Sequence, residues 1–246
     1  MIFVVSDFHG NLKAWRKLKN ALNADDICYV IGDACDRERY GIQILSEIME
    51  DKRFHYLIGN HDDFIIRTFR DDLVHSRKET SEWAKACWLH NEEFSYYEWI
   101  ELSNSNPTKF SELLEWLVNC DVFCTICVND KTFKLAHAKY PRQMDEPNMT
   151  WKKMEKYFSD ILISTIWDRY TKCNSETELK KYVSSDCITL IGHTPIYNKN
   201  PEITEGLYNL DTGLGYGGDE VRVYCLDDCQ IYTVQEGVKL YSVLNK

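Results

Sequence analysis

Long hydrophobic runs are missing from this chain. No stretch of its 246 residues approaches the length that crosses a bilayer. The first residues, Met1-Ile2-Phe3-Val4-Val5-Ser6-Asp7, hold no basic segment and meet a charge after a short apolar run, so no signal peptide is expected. Both absences predict a cytoplasmic location with no membrane partner. Proline and glycine are sparse, at 5 and 11 residues, and no Pro/Gly/Ser-rich linker, low-complexity tract or solenoid repeat divides the chain. One domain over residues 1–246 with a full core is therefore expected. Positive charge is also short, with 29 Lys and Arg against 39 Asp and Glu and a net charge of -10. That argues against nucleic acid or an anionic membrane as a partner. A phosphorylated substrate stays open, because bound cations reverse the sign of a local site.

What the chain does have begins with 10 cysteines. Cys28, Cys120, Cys124, Cys127, Cys187 and Cys225 lie in apolar runs and read as reduced core residues. Cys124-Thr-Ile-Cys127 has zinc spacing but sits in a β-like run without a second pair, so no structural zinc is expected. Three apolar runs, 2–5, 27–31 and 54–58, read as buried strands. Between them stand two amphipathic helices. The first is capped by Asn11 and carries Leu12, Trp15, Leu18 and Leu22. The second opens at Gly41 and carries Ile42, Leu45, Ile48 and Met49. This β-α-β-α-β order predicts a parallel sheet with helical crossovers.

Each of those strands ends in a polar cluster: Asp7 with His9, then Asp33 with Asp36 and Arg37, then Asn60 with His61. Residues 64–120 read as a helical insertion with Trp83, Trp88, Trp99 and Trp116, packed on the sheet edge or over the site. His75 and His90, also there, have no partners and are given no chemistry. A hairpin over 121–136 ends at His137. Residues 150–182 read as helical and contain Arg169. A further strand, 187–191, ends in Gly192-His193. Short alternating runs after Leu207 predict antiparallel strands of a second sheet.

Taken singly, an Asp or His after a strand is an ordinary turn or hydrogen-bonded residue. Taken jointly, Asp7, His9, Asp33, Asn60, His137 and His193 repeat one strand-then-ligand grammar. In parallel sheets, sites form beyond the carboxyl ends of the strands. Imidazole with carboxylate suits manganese, iron or zinc. Six such groups suit two ions sharing a carboxylate, about 3.5–4 Å apart, which could clamp a phosphate. Arg37 and Arg169 are the matching guanidinium donors.

Asp7-Phe8-His9-Gly10, Gly32-Asp33-Ala34-Cys35-Asp36-Arg37, Gly59-Asn60-His61-Asp62, His137-Ala138 and Gly192-His193-Thr194 resemble, in order, the motifs of calcineurin-like metallophosphoesterases. The likeness is greatest to the bacterial and phage phosphoprotein phosphatase branch, which is related to diadenosine tetraphosphatases. Asn209-Leu210-Asp211-Thr212-Gly213 and Gly217-Gly218 extend it. The resemblance implies a four-layer α-β-β-α sandwich, an α/β fold of two mixed sheets flanked by helices. It implies two divalent cations, manganese before iron or zinc. Asp7 and His9 would hold the first, Asp33 would bridge, and Asn60, His137 and His193 would hold the second. His61 would be the general acid with Asp36 as its partner, and Arg37, Arg169 and Asn60 would bind substrate. The implied reaction is direct attack on a phosphate ester by a hydroxide bridging the two metals, with no covalent phosphoenzyme. Glu38 and Lys139 stand where relatives carry glycine, which bears on substrate preference and leaves all six ligands intact.

The leading expectation is thus a phosphomonoesterase acting on phosphoserine or phosphothreonine in proteins, or on a small phosphoester. The alternative is symmetrical hydrolysis of dinucleoside tetraphosphates. A reading of another class is a phospho-ligand-binding module without catalysis, against which the His61–Asp36 pair argues. A nuclease of the wider superfamily is disfavoured by the acidic charge.

Overall fold

The computed structural model describes residues 1–70, 94–173, 175–183, 186–197 and 200–240. The chain opens with β1 (Ile2–Val5), α1 (Leu12–Ala21), β2 (Ile27–Ile31), α2 (Gly41–Glu50) and β3 (Phe54–Leu57). The three strands are parallel, in register Ile2↔Ile27 and Cys28↔Phe54. Helix α1 forms where expected: Asn11 accepts the amide of Ala14 in its cap, and Trp15 and Leu18 face the core. In α2 the buried face is Gly41, Ile44, Leu45 and Ile48. Ile42 and Met49, expected on that face, lie at its edge and are only partly buried.

Three helices follow: α3 (Asn60–Phe69), α4 (Phe94–Ser105) and α5 (Pro107–Asn119). They are the helical insertion. Trp99 is fully buried within it and Trp116 stacks on Tyr56 of β3. Trp83, Trp88, His75 and His90 lie outside the described residues. Next come β4 (Asp121–Val128), β5 (Lys131–Ala136), β6 (Asn148–Thr150) and α6 (Trp151–Trp167). The helix expected over 150–182 stops at Trp167. There Asp168 turns to extended backbone, and Arg169 reaches the carbonyl of His193. A short α7 (Glu176–Leu179) precedes β7 (Cys187–Ile191), β8 (Glu202–Thr204), β9 (Leu207–Asn209), β10 (Arg222–Cys225) and β11 (Gln230–Thr233).

Hydrogen bonds link the strands in the order β11-β10-β1-β2-β3-β4-β5-β7-β9-β8, with β6 beside β4. The two mixed sheets are halves of one curled sheet, joined where Leu57 of β3 pairs with Asp121 of β4. The curl brings β10 against β9 and β5: Tyr224 lies 5.1 Å from Tyr208 and 6.2 Å from Phe133 between ring centroids. Val4, Ile31, Leu57, Leu135, Leu190 and Leu210 fill the space inside. Outside it, α1, α2, α5 and α6 cover the sheet with a second apolar layer that includes Trp15, Leu45, Leu117 and Trp151. The tail departs from expectation. Strand β9 runs parallel to β7, and β10–β11 joins the N-terminal half, where Phe3 pairs with Cys225.

This topology explains why the polar clusters can meet. Strand β4 runs parallel to β3 but begins where β3 ends. Strand β5 returns antiparallel, so Ala136 ends opposite Phe123, near that same rim. Strand β7 is parallel to β5, so it ends there too. His137 and His193 therefore arrive from one half, and Asp7, Asp33 and Asn60 from the other.

Among the described cysteines none forms a disulfide. Cys124 is buried and Cys127 exposed. Three residues apart in a strand, they face opposite sides. Cys127 is thus not the core residue expected, and Cys187 is only partly buried.

Candidate metal centre

Asp33 is the hub. Its Oδ2 lies 3.3 Å from His137 Nε2, 3.7 Å from His9 Nε2 and 3.9 Å from His61 Nε2. His9 Nε2 is also 3.7 Å from Asp7 Oδ1, and Asn60 Oδ1 is 3.0 Å from His137 Nε2. Donor atoms of Asp33, His137 and His193 fall within 4.8 Å of one another, as do those of His9, Asp33 and His61. All six candidate ligands are buried. The structure therefore brings together Asp7, His9, Asp33, Asn60, His137 and His193.

Their orientation is enforced by backbone. His9 Nδ1 donates to the Cys35 carbonyl and His137 Nδ1 to the Ile31 carbonyl, both at 2.9 Å. Each ring thus turns its Nε2 into the cluster: that of His9 is kept neutral, while that of His137 faces Asp33 Oδ2 and Asn60 Oδ1. Asp7 Oδ2 is engaged by the Ser6 hydroxyl and, at 3.1 Å, by the His193 amide. Asp33 Oδ1 accepts the amide of His61 in the first turn of α3, where the helix dipole favours an anion. Backbone strain concentrates here. Asp7, His9, Asp33 and His193 have φ of 55, 47, 56 and 68°, a region that side chains other than glycine seldom adopt.

Glycine is needed at two contacts. A Cβ at Gly59 would overlap Asp33 Oδ1, and one at Gly32 would sit 2.6 Å from His137 Nδ1. Gly32 also has φ of +91°.

The cluster calls for added positive charge. Asp7 Oδ1 and His193 Nε2 are buried and have no hydrogen-bond partner among the described residues. Burial, with the charge of Asp33, pushes the Asp7 carboxyl up to about 6. Burial likewise drives the Asp211 carboxyl well above its usual range, helped by Asp7. Burial and the neighbouring His61 lower His9 to about 3. Against its burial, Asp33 raises His137 to about 10. Orphaned donors, bare imidazole nitrogens and crowded carboxylates together fit divalent cations.

His61 is held differently from the six. Its Nδ1 lies 2.6 Å from Asp36 Oδ2, and its Nε2 is 3.5 Å from the Arg37 guanidinium. That guanidinium sets positive charge beside His61 Nε2. Burial lowers the imidazole, but Asp33 and Asp36 outweigh it and raise His61 to about 9. Arg37 also stacks on the exposed Tyr216 ring, 4.2 Å from its centroid. Arg169 donates to the His193 carbonyl at 3.1 Å and to Thr194 Oγ1 at 3.3 Å. The two departures from glycine are both tied down: Asn11 donates to Glu38 at 3.3 Å, and Lys139 pairs with Asp168 at 2.7 Å.

Sequence reasoning gave no role to Asp62 and Tyr56. Asp62 Oδ2 accepts the amides of Gly59 at 2.8 Å and Asp33 at 3.1 Å, and the Tyr56 hydroxyl at 2.8 Å. It thereby fixes the turns that carry Asp33 and Asn60. An acidic residue in a helix's first turn is the available signal. Tyr56 offered none, because its partner lies across a turn.

A curled mixed sheet that gathers imidazoles and carboxylates on one rim is the layout of a metal-dependent phosphoester hydrolase. The chain belongs to the calcineurin-like phosphoesterases, whose family model matches residues 1–231. A search of curated proteins finds no match. Among solved structures, one described as a putative diadenosine tetraphosphatase aligns at 15% identity and TM-score 0.60, covering 95% of this chain and 92% of that one. The cold-active protein-tyrosine phosphatase of a psychrophilic Shewanella aligns at 16% identity and TM-score 0.54, covering 95% and 80%. At such identities these likenesses show the fold. No helix among the described residues is long and apolar enough to cross a membrane.

Proposed function

We propose that this chain is a metal-dependent phosphomonoesterase acting on phosphoserine and phosphothreonine in proteins. The observation that carries the reading is His61, clamped at Nδ1 by Asp36 while its Nε2 faces Asp33 and Arg37. Asp7, His9 and Asp33 would hold one divalent cation, and Asp33, Asn60, His137 and His193 a second. Manganese is the proposed ion, since the donors are nitrogen and oxygen without thiolate. Such cations, when bound, supply Lewis acidity toward phosphate oxygens and lower the pKa of water.

The remaining steps belong to the side chains. Arg37 and Arg169 bind and orient the phosphate, Arg37 braced by Tyr216 and Arg169 by Thr194. Protonated His61 gives its Nε2 proton to the leaving oxygen, and Asp36 keeps the imidazolium in place. Symmetrical dinucleoside tetraphosphate hydrolysis is the second reading. Exposed Tyr197 and Tyr216, 6.5 Å apart between ring centroids, could stack a base beside Arg37. The test is product analysis with a phosphoserine peptide and diadenosine tetraphosphate, in manganese and in chelator. Manganese-dependent release of inorganic phosphate from the peptide supports the first reading. Cleavage of the dinucleotide alone supports the second.

A further inference from the structure

Beside the metal rim lies a charged recess that the mechanism above does not use. Lys139, Arg142 and Lys181, with Tyr140 and Gln143, line an open hollow of about 460 Å³, and no carboxylate is among these residues. The cations come from two separate segments that pack together. Arg142 donates to the Lys180 carbonyl at 3.1 Å. Lys139 Nζ lies 5.2 Å from the Tyr182 ring centroid and 2.7 Å from Asp168. Arg142 and Lys181 are exposed.

One wall of the recess is tied along the chain to the site. Lys139 stands two residues beyond His137, and its partner Asp168 immediately precedes Arg169, which is bonded to the His193 carbonyl. The protein carries a net charge of -10, so its overall field repels an acidic substrate. The hollow gathers three cations, one of them paired with Asp168, against that overall field.

We propose that this recess binds a carboxylate that flanks the phosphorylated residue, so that the enzyme selects acidic phosphopeptides. The inference rests on the phosphoprotein reading above. Lys139 fixes one wall, and Arg142 and Lys181 provide the exposed charges. Complementary charge of this kind acts on capture of substrate more than on turnover.

The test uses the full chain with manganese and four substrates: a phosphoserine peptide with Glu flanks, the same peptide with Gln flanks, p-nitrophenyl phosphate and diadenosine tetraphosphate. The variant is Arg142→Gln with Lys181→Gln. Wild type is expected to show a KM roughly five-fold lower for the Glu peptide, as suits two exposed ion pairs. The double variant should lose that preference while hydrolysing p-nitrophenyl phosphate at the wild-type rate, which also shows that it folds. Equal KM for the two peptides in wild type overturns the recess alone, as does a preference unchanged in the variant. Weaker use of the dinucleotide by the variant, with no discrimination between peptides, overturns it in favour of a polyphosphate subsite. If p-nitrophenyl phosphate is hydrolysed and neither peptide is, the phosphoprotein reading fails and the recess with it.

Discussion

His61 differs from the other rim histidines in one respect: its Nδ1 meets the carboxylate of Asp36 at 2.6 Å, where His9 and His137 meet backbone carbonyls. A carbonyl partner accepts the Nδ1 hydrogen bond and leaves Nε2 to its surroundings, which keep His9 neutral and, through Asp33, charge His137. A carboxylate partner favours a charged ring with a proton to give. This contact is the ground on which His61 is proposed as the acid. His61→Ala should therefore lower turnover of a phosphoserine peptide by about 10²–10⁴-fold while the metal content of the purified protein is retained. Unchanged turnover, or a loss of bound metal in parallel, would show that the role assigned to His61 is wrong. The six candidate ligands were legible in sequence because each follows an apolar run at a strand's end. Asp62 and Tyr56 were not, since what they touch depends on how α3 leaves β3.

At the scale of elements, buried ion pairs and caps decide how the helices sit. Arg67 of α3 is 1% exposed and pairs with Asp63 at 2.8 Å and with Glu155 of α6 at 2.9 Å. Trp151 donates to Asp63 at 2.7 Å. The network ties the helix that carries Asn60 and His61 to α6. Helices α1 and α2 are joined by Glu47, which accepts from Trp15 Nε1 and Lys19 Nζ, both at 2.9 Å. Burial raises this carboxyl, but the bonds from Lys19, Trp15 and Gln43 override it and hold Glu47 down to about 2. A carboxyl depressed in the folded state stabilises fully above its unfolded value of about 4.3 and loses that contribution as pH falls toward the folded one. Glu47→Gln should accordingly cost about 1 kcal/mol or less near pH 7, after solvent screening, and only a small fraction of that near pH 2. Denaturant melts at the two pH values check this; an equal cost at both contradicts it. Strand pairing was the least legible feature at this scale. The alternating tail announces strands, but only the register of Phe3 with Cys225 shows that β10 completes the N-terminal half.

For the whole molecule, the curl of the sheet is the decisive feature. Period and composition identified most strands. They could not show that β5 and β7 end on the same rim as β1, β2 and β3, because that depends on β4 starting beside the end of β3. Once the halves meet, four strand ends and the first turn of α3 deliver carboxylates and imidazoles to one buried place. The same closure leaves buried acceptors on Asp7 and His193 without partners among the described residues. Cations around Asp33 answer both facts. The most direct measurement is manganese stoichiometry by calorimetric titration of metal-stripped protein, for wild type and Asp33→Asn. The account predicts about two ions per wild-type chain, as for a paired site, and loss of tight binding at both positions in the variant. A wild-type chain that binds no divalent ion, or an Asp33→Asn chain that still binds two as tightly, would contradict it.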